Sequence, residues 1–537
     1  MGGATPGPVP AAVRSAVRAR AGPWGGAPPG LVPGGATGDV MLGIMQDWPL
    51  LLHRIIDHAA VHHRRGEVVS RSVEGPTHRT IYPEIRARAR RVAQRLRHDG
   101  IRAGDRVGTL AWSTWRHLEA WFGVTGARAV FHAVNPRLPP GQIAWIANHA
   151  EDRVLLADLT LVPLLERLAP RLPAVERFVL LTGPEHMPET SLRGAVCYEE
   201  WIADCDGDAA WAALDERAAS GLCYGPARRE GEPPRGVFTS HRSTVLQAMA
   251  AAQADVLGLG AGDRVLPVAP MFQADAWGLP AVAPMVGAGL VLPGPRLDAA
   301  SLHVLMEEER VTFGAAVPGV WMALQRHLEA MGGRVSTCRR VMVGGSAAPQ
   351  PAPAEAGPER PGFEPLHGWD LAEASPLGAP LLLGPELVGL DAEGRLDLRT
   401  RAAGAPFTTE VKITDEEGRA LPWDGVGYGR LKVRGPCVAR GAFGGAEELL
   451  DAEGFLDTGD LATIDPHGVL RIAGRAEEAP APGGRRPAPP ETGAASDGPA
   501  AAGPEAPEPT ALALFQRWGT RRRRRPLRRR TTRRFRA

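Results

Sequence analysis

Asp460 and Arg475 lie in the segment GFLDTGDLATIDPHGVLRIAGR. A carboxylate directly after a glycine can accept hydrogen bonds from two adjacent ribose hydroxyls, and the arginine can meet a ribose oxygen or a phosphate. A plain turn explains the same letters, and this segment alone does not separate the two readings. The five cysteines (Cys197, Cys205, Cys223, Cys338 and Cys437) form no CxxC pair and no His/Cys ligand spacing. That argues against a zinc site or a disulfide scaffold and suits a reducing cytoplasm. Of 62 Lys and Arg residues only Lys412 and Lys432 are lysine.

Residues of this kind must be held by regular elements, and helix alternates with strand through the middle of the chain. Pro83 stands where a helix starts, Ile85, Ala89, Val92, Ala93 and Leu96 follow at helical spacing, and Gly100 stops it. The strand RVGTLAW comes next. The grammar repeats in LDAASLHVLMEEER, then VTFGAAV, then a helix from Pro318 carrying Val320, Trp321, Leu324, Leu328 and Met331. RRVMVGGS reads as a buried strand ending in glycines. Such alternation predicts an α/β domain with largely parallel sheets, whose ligands bind at the carboxyl ends of strands. After about residue 405, short strands and turns predict a smaller β subdomain.

The length of 537 residues allows two or three domains, and 44% apolar residues is ordinary for a globular chain. No apolar run reaches the ~20 residues of a membrane-spanning helix. A net charge of +2 makes the chain as a whole a poor candidate for nucleic-acid binding. Residues 1–40 are rich in Gly, Pro and Ala with no signal-peptide h-region, and are expected to be disordered or a misassigned start. The expected division is then an α/β domain over 41–400, a β-rich subdomain over 401–475, and a low-complexity tail over 476–537 ending in RRRRRPLRRRTTRRFRA. The tail has the charge density to neutralise phosphates of nucleic acid or an anionic membrane. An out-of-frame stretch of GC-rich DNA explains it better.

The segments GVFTSHRST, LPVAPMFQADAWG, VTFGAAVPGVW, VGGSAAP, LHGWDLAEASPLG and the TGD segment occur in this order. Together they resemble the adenylate-forming superfamily of acyl-CoA synthetases, luciferases and peptide-synthetase adenylation domains. HAVNPRLPPGQIAWIANHAEDRVLLAD and APMFQADAWG resemble its fatty acyl-CoA synthetase branch. The resemblance runs from about Met41 to Gly484. It implies that a carboxylate attacks the α-phosphate of ATP, giving acyl-adenylate and pyrophosphate, and that CoA then displaces AMP, with Mg²⁺ neutralising the phosphates. It implies that Gly344, Gly345, Ser346 and Ala347 wall the adenine and that Trp369 stacks on it. Glu373 would hold Mg²⁺ or a phosphate-bound water, Asp460 the ribose with Arg475 beside it, and Trp277 would gate the acyl tunnel. Core packing for the tryptophans and an exposed loop acid for Glu373 are the alternatives. By the same analogy the expected substrates are a fatty acid and CoA and the expected assembly is a homodimer, while the cytoplasmic location is expected from the cysteine usage.

The pattern is broken where phosphates are handled. The family loop, roughly YTSGTTGxPKGV, wraps phosphates with backbone N–H groups and hydroxyls, and its lysine adds charge. Here the stretch from Tyr224 to Gly236 has no Ser or Thr, carries Glu230 and Glu232, and loses donors at Pro226, Pro233 and Pro234. Arg235 stands nearest the lysine, though the two are not equivalent. The family's threonine before Glu373 is Ala372, its preceding glycine is Asp370, and its histidine after MF is Gln273. PQPAPAEAGPERPG replaces an expected helix, and the hinge after Arg475 reads GRAEEAPAPGG. The C-terminal lid domain and its lysine are expected to be absent. Two readings follow: an impaired fatty-acid–CoA ligase, or a non-catalytic remnant, either a pseudoenzyme that binds acyl chain or AMP or the product of a decayed gene.

Overall fold

Pro83 sits in the first turn of the helix Tyr82–His98, where its missing N–H leaves no bond unmade. Ile85, Ala89, Val92, Ala93 and Leu96 all face the core, as their spacing predicts. The helix Ala299–Glu308 opens on Asp298, whose carboxylate accepts from the Ser301 amide at 2.9 Å. The helix Pro318–Met331 ends on Gly332 at φ 63°, left-handed backbone that glycine adopts freely. Trp321, Leu324 and Leu328 are buried along it, but Met331 is exposed. The last turn runs past the apolar cluster that receives Leu328. The computed structural model describes residues 45–225, 233–254, 256–344, 364–369, 371–374, 379–380, 394, 403–445 and 448–476.

Among the described residues twenty strands follow in chain order: β1 Glu67–Arg71, β2 Thr77–Ile81, β3 Arg106–Leu110, β4 Val130–Ala133, β5 Asp152–Ala157, β6 Arg177–Leu180, β7 Val196–Cys197, β8 Ala219–Gly225, β9 Arg235–Ser240, β10 Arg264–Pro267, β11 Gly289–Leu292, β12 Phe313–Ala316, β13 Arg340–Val343, β14 Glu364–His367, β15 Ala379–Pro380, β16 Ala403–Gly404, β17 Glu410–Thr414, β18 Gly429–Arg434, β19 Leu456–Ile464 and β20 Leu470–Arg475. They make two seven-stranded sheets, ordered β14-β13-β12-β10-β11-β1-β2 and β7-β6-β5-β3-β4-β8-β9. Each is parallel except for one antiparallel edge strand, β2 or β9. Helices cover such sheets because a parallel crossover needs one. A six-stranded antiparallel sheet, β15-β16-β20-β19-β18-β17, forms the β-rich part.

The largest core cluster joins the two parallel sheets through the helices between them. The helix Trp115–Gly126 is buried along its whole length, as a helix enclosed on all sides must be. At Gly123 it crosses the helix Tyr82–His98 so closely that a Cβ would lie 2.5 Å from Val92 Cβ. An ionic network crosses the same region. Arg116 pairs with Glu74 at 2.6 Å and with Glu199 at 2.7 Å. Arg88 pairs with Glu199 at 2.9 Å and with Glu119 at 2.7 Å, and the Tyr198 hydroxyl donates to Glu119 at 2.9 Å. Burial is the largest single influence on the Glu74 carboxyl and would raise it, but the Arg116 guanidinium and the hydrogen bonds from Arg116, Thr182 and the backbone together hold it below its ordinary value.

Candidate functional site

β12, β13 and β14 run parallel, with Ala316, Val343 and His367 in register. Their carboxyl ends deliver Gly344 and Gly368–Trp369 side by side. The Gly368 amide donates to Val343 O at 2.9 Å. A Cβ on Gly344 would lie 3.0 Å from Gly368 O and 3.2 Å from the Trp277 ring. Glycine is therefore what lets the backbone, the indole and the neighbouring carbonyl meet.

Trp369 reaches across to the antiparallel sheet, where its Nε1–H donates to Asp460 Oδ2 at 2.8 Å. Asp460 and Arg475 are cross-strand partners on β19 and β20, and Arg475 Nη1 stands 3.2 Å from Asp460 Oδ1. The carboxylate is nearly buried while the guanidinium stays half exposed. Trp369, Asp460 and Arg475 thus form one unit drawn from distant parts of the sequence.

Glu373 lies in the single turn Ala372–Ala374 and is buried. Its carbonyl accepts from the Ala439 amide at 2.7 Å, and the turn packs beside β8. β8 and β9 form a hairpin pairing Gly225 with Arg235, and Arg235 Nη1 is buried there with no hydrogen-bond partner. The Phe443 amide donates to Gly236 O at 2.8 Å, tying the hairpin to the segment after β18. Ser240 then caps the helix His241–Ala251, with reciprocal bonds to Ser243 of 3.0 and 2.9 Å. Gly345, Ser346, Ala347, Asp370, Glu230, Glu232 and the whole PQPAPAEAGPERPG stretch lie outside the described residues.

Trp277 is fully buried, and its Nε1 has no hydrogen-bond partner. It closes a left-handed run, Asp275 at φ 50°, Ala276 at 50° and Trp277 at 56°, before Gly278 at 73°. Three consecutive non-glycine residues in this region store strain, of order 1–2 kcal/mol each. Burial pushes the Asp275 carboxyl up to about 7. The two lysines stand opposite each other on β17 and β18. Lys412 is paired with Glu453 at 2.9 Å and Lys432 with Asp451 at 2.9 Å, so both ammonium groups are held in the β-rich sheet.

Sequence reasoning passed over His367. Both ring nitrogens are buried without partners, and burial pushes the imidazole down to about 4. It immediately precedes Gly368–Trp369, and the only available signal was a polar residue ending an apolar strand. Tyr224, at the root of the hairpin, was noted only as a loop boundary. Its hydroxyl meets His149 Nδ1 at 2.7 Å.

Gly344, Gly368 and Trp369 at the carboxyl ends of a helix-covered parallel sheet, with Trp277 against Gly344 and a carboxylate reaching in from an antiparallel sheet, mark an α/β domain of the adenylate-forming type. The chain belongs to the AMP-binding enzyme family, whose model matches residues 56–224 and 231–443. The gap in that match, residues 225–230, begins at the last residue of β8. The chain is 43% identical over 438 residues to the long-chain-fatty-acid–CoA ligase of Thermus thermophilus, covering 81% of this chain and 78% of that one. It is 40% identical over 438 residues to the 3-methylmercaptopropionyl-CoA ligase of Ruegeria lacuscaerulensis, covering 82% and 81%. These relatives place it in the acyl-CoA synthetase branch. Among solved structures, the anthranilate CoA ligase AuaEII in complex with anthranoyl-AMP matches with a TM-score of 0.68 at 21% identity, over 82% of this chain and 81% of that one. The N-terminal domain of FACL13 from Mycobacterium tuberculosis matches with a TM-score of 0.63 at 22% identity, over 79% of this chain and 99% of that domain. Both show the fold.

Proposed function

We propose that the chain is a fatty-acid–CoA ligase of the AMP-forming type with weakened phosphate handling. Enzymes of the family use ATP, Mg²⁺ and CoA. In this reading Trp369 stacks on adenine, with Gly344, Gly345, Ser346 and Ala347 as the opposite wall. Asp460 accepts from the ribose hydroxyls, with Arg475 beside it. The unpartnered ring of His367 offers its nitrogens to the purine edge. Trp277 closes the acyl pocket, and a fatty acid and CoA are the remaining substrates. The observation that carries the reading is the Trp369–Asp460–Arg475 unit, set at the strand ends beside Gly344.

Mg²⁺ is commonly bound by one or two carboxylates together with substrate phosphates. Glu373 supplies one such carboxylate, and among the described residues no cluster of three or more His, Cys, Asp or Glu is placed to hold a metal alone. Arg235, with its buried and unpartnered Nη1, is the nearest phosphate-directed charge. The division into an α/β domain over 41–400 and a β-rich subdomain over 401–475, the homodimer and the cytoplasmic location belong to the same proposal. Among the described residues no helix is long and apolar enough to cross a membrane.

A second reading, an AMP- or acyl-binding protein without turnover, is favoured by the break in the family match at 225–230 and by Ala372, which has no hydroxyl to offer the α-phosphate. Losing one positioned donor typically costs ~10²–10³ in rate. ATP–pyrophosphate exchange with a panel of fatty acids separates the two. Exchange that depends on the acid and is lost in Glu373→Ala establishes the ligase. No exchange, with AMP still bound, establishes the second reading.

A further inference from the structure

β1 and β11 are neighbouring parallel strands, so their carboxyl ends open on one side of the sheet, the side on which open α/β sheets take ligands. A cavity there is lined by Arg71 and Arg296, with Ser72, Thr77 and Ser301 supplying hydroxyls. β10 and β12 separate β11 from β13, so this cavity is distinct from the Trp369 site.

The cavity is braced by its own contacts. Arg71 Nη1 donates to Ser301 O at 2.8 Å. The backbone at Gly294 passes against Arg71 O too closely for any Cβ, at φ 62°. Ser72 Oγ accepts from the Gly75 amide at 3.1 Å, which fixes the β1–β2 turn. Glu74, the acid of that turn, is drawn to Arg116 at 2.6 Å and Thr182 at 2.9 Å. Asp298 is committed to its helix cap. One carboxylate remains on the lining, Glu308, 4.0 Å from Arg71 Nη2 and largely in solvent. Among the described residues Arg296 makes no hydrogen bond or ion pair. Two guanidinium groups against one exposed carboxylate leave the cavity net positive.

We propose that this cavity binds the phosphate group of a phosphate monoester. The dianion matches the two guanidinium groups, which bind phosphate oxygens through paired N–H donors, and the hydroxyls complete its shell. Val304, exposed on the lip of the cavity, gives apolar cover to the carbon side of an ester. Inorganic phosphate carries the same charge but gains nothing from Val304.

The test is calorimetric titration of the full chain in chloride buffer with inorganic phosphate and with glycerol 3-phosphate as the ester probe. Both are expected to bind, the ester more tightly. Arg296→Ala, an exposed change with no native partner to orphan, is expected to weaken both by roughly tenfold with an unchanged melting temperature. Arg296→Glu should abolish binding, and Val304→Ala should erase the preference for the ester. Asp460→Ala should leave both affinities intact, which separates this cavity from the nucleotide reading. Absent binding, or binding indifferent to Arg296→Ala and Arg296→Glu, overturns the proposal. Equal affinity for the two probes in the native chain overturns the assignment to an ester.

Discussion

At the scale of single residues, Asp460 holds the candidate site together, because one of its oxygens faces the Trp369 indole and the other the Arg475 guanidinium. Asp460→Ala removes a charged acceptor and strands a buried indole N–H. AMP binding, measured by calorimetry, should weaken by roughly tenfold or more. Asp275 makes a pH prediction. Its folded value is raised from 3.8 to about 7, so the folded state holds a proton that the unfolded state releases above 3.8. The stability this contributes at low pH is lost as pH rises towards about 7 and does not change further above it. The difference in unfolding free energy between Asp275→Asn and the native chain should therefore grow from pH 4 to 7 and then level off. A difference constant with pH would show that the acid is not held neutral. Asp460 and Arg475 could be singled out in the sequence only through the resemblance, since their segment alone reads equally as a turn; that they face each other across β19 and β20 is a finding of the structure. The left-handed run at Asp275–Trp277 was not legible in the sequence, since ADAW carries no glycine and its backbone is imposed by packing around Trp277. Nor was His367, whose unpartnered nitrogens follow from burial that one sequence does not disclose.

At the scale of elements, the helix Tyr82–His98 shows what periodicity can deliver. Its apolar stripe and Pro83 gave its position, but the partner helix Trp115–Gly126 has no exposed face, and 3.6-residue periodicity fades when every side is covered. Gly123 records the crossing of the two. Gly123→Ala drives a methyl into Val92 and should cost about 1–3 kcal/mol in urea unfolding. Gly141, where a Cβ meets nothing within 4 Å, is the control, and Gly141→Ala should not destabilise. Equal effects would show that helix propensity, and not the crossing, decides. The β8–β9 hairpin could be anticipated only in part. Its flanks keep the family wording, while the turn between them departs from it at the residues the family match skips. Replacing residues 225–235 with a TSGTTG-type loop should tighten ATP binding without changing AMP affinity, as read by competition with a fluorescent nucleotide.

At the scale of the whole molecule, the ionic network is what fastens the two parallel sheets beyond their shared apolar core. Glu74 comes from the β1–β2 turn of one sheet and Glu199 from the helix following β7 of the other, and Arg116 binds both. Removing one member of a buried ion pair typically costs 3–5 kcal/mol. Arg116→Met should therefore lower the unfolding free energy by about that amount, with little relief from added salt, because buried charges are poorly screened. A loss under ~1 kcal/mol would mark the network as solvated.

The facing lysines of β17 and β18 have a consequence for reagents. Lys412 and Lys432 are the chain's entire lysine complement, and both ammonium groups are ion-paired and largely shielded. Each ammonium group is held against a carboxylate and shielded from solvent, so a reagent cannot reach its nitrogen while the sheet is closed. Amine-directed acylating reagents, carrier-linked crosslinkers and lysine-specific endoproteinases should therefore pass over the native side chains and act on them only once the antiparallel sheet opens. Arginine-directed reagents find targets over most of the surface. Lysine labelling of this chain thus works as a local unfolding clock for its β-rich sheet.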